Sequence, residues 1–142
     1  MGMLDLAAAC DLRVVASKSV PRGVHSIEAT ACLSRDFIGF AGHFPGQPIV
    51  PGFVFVMLAE QVFRQAGRVL RVAAVRKARF YQPLLPLQPV RIIMRFELAG
   101  EARVTFTHQA APQDDRSALV CELVLALVEP VAGSAGSVAQ KS

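Results

Sequence analysis

The stretch FIGFAGHFPGQPIVPG (residues 37–52), followed by FVFVMLAEQVFRQA (residues 53–66), divides the chain into a part before and a part after a single helix. Seven breakers, Gly39, Gly42, Pro45, Gly46, Pro48, Pro51 and Gly52, exclude regular structure in the first half. That half is nevertheless rich in Phe and Ile. It reads as an apolar, rigid loop that is packed down and shaped for a purpose. In the second half, Pro51 stands near the first turn and Gly67 just past the end, the asymmetry that starts and stops a helix. The predicted helix, 53–66, is apolar almost all round, with Glu60, Gln61, Arg64 and Gln65 toward its C-terminal half. Such a helix is buried on most sides.

Outward from this centre the pattern is β. Residues 12–20 and 22–33 read as two strands around Pro21-Arg22-Gly23, and the second sets Val24, Ser26, Glu28 and Thr30 against His25, Ile27, Ala29 and Ala31, an imperfect alternation. After the helix come 73–81, 90–99, 102–110 and 117–129, with Leu119, Cys121, Leu123, Leu125 and Leu127 on one face of the last. The prolines of QPLLPLQP (residues 82–89) mark a turn. Residues 1–129 form one predicted domain, and the small-residue run 130–142 reads as a disordered tail. Two strands, one buried helix and four strands predict an α+β domain, an antiparallel sheet wrapped around one helix. Such a sheet has exposed edges, which pairing with a second copy would cover.

Composition narrows the function classes. A chain of 142 residues is one domain, and 53% apolar against 18% charged residues excludes a disordered chain. Mean hydropathy is +0.42, an excess that implies cover by another subunit. The net charge of +4 comes from scattered residues with one Tyr and no Trp, a poor nucleic-acid binder; an acidic protein or anionic ligand fits the charge equally well. Cys10, Cys32 and Cys121 show no CxxC spacing and read as buried thiols in a reducing compartment. The N-terminus lacks a signal-peptide pattern and no apolar run reaches 18 residues, so the expectation is a cytoplasmic protein without a membrane span. No His/Asp/Glu cluster has metal spacing, and no metal or other cofactor is expected.

Residues 42–52, GHFPGQPIVPG, resemble the signature of the hot-dog-fold β-hydroxyacyl-ACP dehydratases, of the type GHFPGxPIxPG. The similarity extends to Gln61 on the helix, to Lys77-Ala78-Arg79-Phe80 with Pro83, and to the closing strands, about residues 12–129 in all. The resemblance implies a hot-dog fold, at least a homodimer, and a (3R)-3-hydroxyacyl thioester on acyl carrier protein as substrate. It implies His43 as the base that takes the C2 proton, and Gly52 as the residue whose N–H meets the thioester oxygen. Elementary chemistry agrees with both roles. Histidine has the right pKa for such a base. A helix N-terminus offers free N–H groups and the positive end of a dipole to a developing enolate, and prolines stiffen the loop around His43. Outside such a loop, an isolated histidine is ordinarily a satisfied core residue.

One position departs from the family. Five residues after the matched glycine the family carries Asp or Glu, which protonates the leaving hydroxyl; here the residue is Met57. The nearest carboxylate, Glu60, shares a helix face with 57 and 61. It is a candidate for the acid if it reaches back, and otherwise an exposed or Arg64-paired carboxylate. Loss of a general acid costs about 10²–10⁴ in rate. Three outcomes follow: a substrate whose hydroxyl leaves easily enough to need no acid, a second, non-identical hot-dog subunit that supplies one across a heterodimer, or a chain that no longer dehydrates and serves as a partner, a thioester-binding protein or a thioesterase-like relative. Phe44, Ile49, Phe53 and Met57 would shape the acyl channel. Arg76, Lys77 and Arg79, with Arg64 and Arg68, read either as a solvated face or as a landing patch for the acidic carrier and its phosphate. His25 and His108 lack partners at recognisable spacing, and Asp114-Asp115 reads as a turn.

Overall fold

The computed structural model describes residues 10–19, 25–34, 50–97, 100–112 and 115–128, with the side chains of Ser19 and His25 excepted. His43, Phe44, Ile49 and the 130–142 tail lie outside the described residues. In chain order the elements are β1 (Cys10–Ser19), β2 (His25–Leu33), α1 (Gly52–Gln65), β3 (Arg71–Phe80), β4 (Val90–Glu97), β5 (Glu101–His108) and β6 (Leu119–Val128). The strands form one antiparallel sheet in the order β1-β2-β4-β5-β6-β3. This is the α+β, hot-dog arrangement expected from the sequence.

Alternation decides which face is wet. Ile27, Ala29, Ala31 and Leu33 of β2, Val90, Ile92, Met94 and Phe96 of β4, and Cys121, Leu123 and Leu125 of β6 are all buried toward the helix. The outer face carries ion pairs instead, Arg91 to Glu28 and Arg103 to Glu97 and Glu122. On α1 the buried residues are Val54, Phe55, Leu58, Ala59, Val62 and Phe63, a single stripe at helical spacing. Phe55 meets Phe106 edge-on at 5.0 Å, and Phe63 meets Phe96 at 5.8 Å, so aromatic pairs tie both ends of the helix to the sheet.

The expectation of a helix buried on most sides is corrected. Within this chain only one stripe is covered; Phe53 is exposed, and Val56, Met57, Glu60 and Gln61 are half-buried. One sheet face can bury only one face of one helix. The edge strand β3 is also open, with every residue exposed except half-buried Val72. Irregularities between Val72 and Ala74 and between Val75 and Lys77 break its register with β6.

The helix stops in a Schellman motif. Gly67 N–H donates to the Arg64 carbonyl at 3.0 Å and Arg68 N–H to the Phe63 carbonyl at 2.8 Å. Gly67 has φ of +77°, where a side chain would cost about 1–2 kcal/mol.

Two outcomes are expected. Phe106→Ala, at a fully buried position, lowers unfolding free energy in urea by about 3–5 kcal/mol. The thiol of fully buried Cys121 is pushed up to about 12 by loss of hydration. The folded state therefore holds its proton where the unfolded chain, near 9.0, releases it. Stability is full below that value and falls as pH rises toward 12, and Cys121 resists a thiol reagent at pH 8 until the protein unfolds. Rapid labelling of Cys121 in the native protein contradicts this.

Candidate functional site at the start of the helix

Pro51 ends an extended approach (φ −67°, ψ 154°) and precedes the first helical residue, Gly52. A proline N-cap has no side-chain acceptor, and no acidic residue occupies the first turn. The positive end of α1 therefore carries no side-chain counter-charge from its own cap or first turn. This end opens into a cavity of about 410 Å³. Val50, Pro51, Gly52 and Phe55 line it from the helix side, and residues 80–84 line it from the other.

The second wall is held by backbone geometry. Val50 N–H donates to the Leu84 carbonyl at 2.8 Å, and Tyr81 N–H to the Val120 carbonyl at 2.9 Å. The Gln82 side-chain amide donates to the carbonyls of Ser117 (2.9 Å) and Leu119 (2.8 Å), which fastens the turn after β3 to the start of β6. Phe80 stands over the helix start, 5.9 Å from Phe55 between ring centres. A Cβ added to Gly52 would lie 3.0 Å from the Phe80 ring, so glycine there permits the ring's approach.

Of the sequence-predicted residues, Gly52 lies on the cavity, whereas Phe53, Met57 and Gln61 are absent from its described lining. Met57 is half-buried and packs against the core. Glu60 is turned elsewhere: Val72 N–H donates to its Oε2 at 3.4 Å, and it lines a separate cavity with Arg64, Gly67, Arg68, Val69, Leu70 and Arg71. The predicted basic patch does not form one surface. Arg64 and Arg68 border that second cavity, Arg76 pairs with Glu101 at 2.8 Å, and Lys77 and Arg79 lie exposed on β3 toward the Gly52 end. Sequence reading missed Phe80, Tyr81 and Gln82 as site residues, although the first sits inside the KARF run that drew attention.

Proton donors are scarce here. Tyr81 is the sole ionisable residue in the described lining, and its hydroxyl donates to Glu122 at 3.4 Å. Glu122 also faces Arg103, placing that hydroxyl among the ion pairs of the outer sheet face. The arrangement can polarise a carbonyl and enclose an apolar group; among the described residues it presents no carboxylate.

The family model described as "ApeI-like: ApeI dehydratase" matches residues 19–119. The 3-hydroxyacyl-[acyl-carrier-protein] dehydratase FabZ of Chloroflexus aggregans is 29% identical, over 64% of this chain and 68% of the relative. The FabZ of Koribacter versatilis is 34% identical, over 37% of this chain and 40% of that protein, so this match spans less than half of the relative's length. Among solved structures, an uncharacterized protein from Erwinia carotovora superposes with a TM-score of 0.65 at 15% identity, covering 84% and 97% of the two chains. The dehydratase heterocomplex ApeI:P from Xenorhabdus doucetiae gives 0.59 at 14%, covering 82% and 97%. These structural likenesses carry the fold, and the match from the end of β1 to the start of β6 carries the rest: the chain belongs to the ApeI-like dehydratase family.

Proposed function

We propose that this chain binds a 3-hydroxyacyl thioester at the start of α1 and takes part in eliminating water from it, giving the trans-2-enoyl thioester. The observation that supports this most is the uncapped helix start at Pro51-Gly52, opening into an apolar cavity. In this reading the Gly52 N–H and the helix dipole polarise the thioester carbonyl. His43 removes the C2 proton, the C3 hydroxyl leaves as water after gaining a proton, and the C2–C3 double bond forms. No cofactor takes part. The substrate arrives on an acyl carrier protein, whose acidic surface meets Lys77 and Arg79 beside Phe80.

The proton for the leaving hydroxyl comes from a second subunit. Met57 cannot donate one, and Glu60 is tied to Val72 N–H in another cavity. The open β3 edge and the uncovered side of α1 are where a second hot-dog subunit would pack. The relative from Xenorhabdus doucetiae is described as a heterocomplex, in keeping with this reading. A non-catalytic subunit that only completes a partner's site is the second reading, favoured by Met57.

Purified chain is assayed on a 3-hydroxyacyl-carrier substrate, alone and mixed with hot-dog proteins encoded nearby. The expected result is weak or no turnover alone and turnover in the mixture. His43→Ala in the mixture lowers kcat by about 10²–10⁴. An unchanged rate for His43→Ala supports the non-catalytic reading, and silence of every mixture contradicts the proposal. Glu60→Gln is expected to leave the rate within about twofold, because a group acting as the acid would cost far more. Gly52→Ala keeps the N–H but pushes the Phe80 ring aside. Because Phe80 is exposed, unfolding free energy is expected to change by less than about 1 kcal/mol while KM rises. A loss of stability without any change in KM contradicts that placement.

A further inference from the structure

At the far end of α1, about 18 Å from Gly52 along the helix axis, lies a cavity of about 550 Å³ to which the thioester reading gives no role. Three guanidinium-bearing residues line it: Arg64 from the last helical turn, Arg68 from the Schellman turn and Arg71 from the start of β3. The single carboxylate in the lining, Glu60, accepts from Val72 N–H and forms no ion pair with these arginines among the described residues. Arg13, Arg76, Arg91 and Arg103 each face a carboxylate. Arg64, Arg68 and Arg71, none of them ion-paired among the described residues, thus share one concavity with a formal balance of three positive charges to one negative.

The helix dipole accounts for Arg64, since a cation is favoured in the last turn. It does not account for Arg68 and Arg71, which lie beyond the helix. Arg68 is held in place: its backbone N–H closes the Schellman motif, and its guanidinium stacks on the Phe96 ring, 4.7 Å from the centroid. A stacked guanidinium keeps its N–H edge available to a ligand while its orientation is fixed. Like charges gathered around one concavity repel unless an anion joins them. A phosphate group, carrying roughly −1.5 to −2 at neutral pH, matches the formal +2 of the lining and suits Arg donors.

We propose that the Arg64–Arg68–Arg71 cavity is a binding site for a dianionic phosphate group, separate from the thioester site. The test requires no turnover and so stands apart from the dehydratase reading. Inorganic phosphate, then pyrophosphate, is titrated into the full chain by calorimetry at constant ionic strength set with chloride. Thermal unfolding is followed in parallel. The expected result is saturable one-site binding that raises Tm with ligand concentration. The double variant Arg64→Gln/Arg71→Gln alters two exposed side chains and is expected to keep its Tm in chloride while losing at least about tenfold in phosphate affinity. Arg79→Gln, on the exposed β3 surface, is expected to bind phosphate as the wild type does. Absence of saturable binding, or equal binding by the double variant, overturns the proposal. If the double variant loses affinity only for a holo-carrier protein and neither form binds phosphate, the cavity is a protein-docking surface and the proposal is likewise overturned.

Discussion

A helix that begins with Pro51-Gly52 leaves its first N–H groups without a side-chain partner from its own cap. Most globular helices quench that end with Ser, Asp or Asn. Here the fold spends contacts to keep the space in front of it open. The Val50–Leu84 backbone bond and the two carbonyls gripped by Gln82 hold residues 80–84 beside the helix start. They do so at a distance that leaves about 410 Å³ rather than a packed contact. A helix dipole end without a side-chain counter-charge, facing a cavity, contributes little in a protein that binds nothing and is useful in one that must stabilise charge on a carbonyl oxygen.

The same economy explains the exposed half of the molecule. One six-stranded sheet covers one stripe of α1, from Val54 to Phe63, and leaves Phe53, Val56 and Met57 without full cover. Among the described residues, part of the apolar excess in the composition sits on the open side of α1 and along β3, where Phe53, Val75 and Phe80 are exposed. Met57 at the position of the family's acid and the uncovered side of α1 are the two features on which the proposal of a site completed by a second chain rests.

Much of this was legible in the sequence because burial imposes periodicity. Alternation in β2 and β6 put Ile27, Ala29 and Ala31, and Cys121, Leu123 and Leu125, on the buried face, as found. The single helix was bounded by Pro51 and Gly67 to within a residue or two. What periodicity cannot carry is which stripe of a nearly all-apolar helix meets the sheet, and α1 is buried on fewer sides than its composition implied. Register irregularities are equally silent: those in β3 accompany the pairing of Arg76 with Glu101, and the patch expected from spacing divides between two ends of the molecule. Gln82 acts through carbonyls 35 and 37 residues away, a relation no local pattern records.

The central claim is that the Gly52 N–H and its helix dipole polarise a thioester carbonyl. A 3-hydroxyacyl thioester carrying ¹³C at the carbonyl, bound to the wild type and to Gly52→Pro, measures this by difference infrared spectroscopy. Proline is tolerated at a first helical position and removes the donor. The account expects the bound carbonyl stretch to fall below its value in apolar solvent for the wild type and to return toward it in the proline variant. A bound carbonyl at the same frequency in both proteins contradicts it.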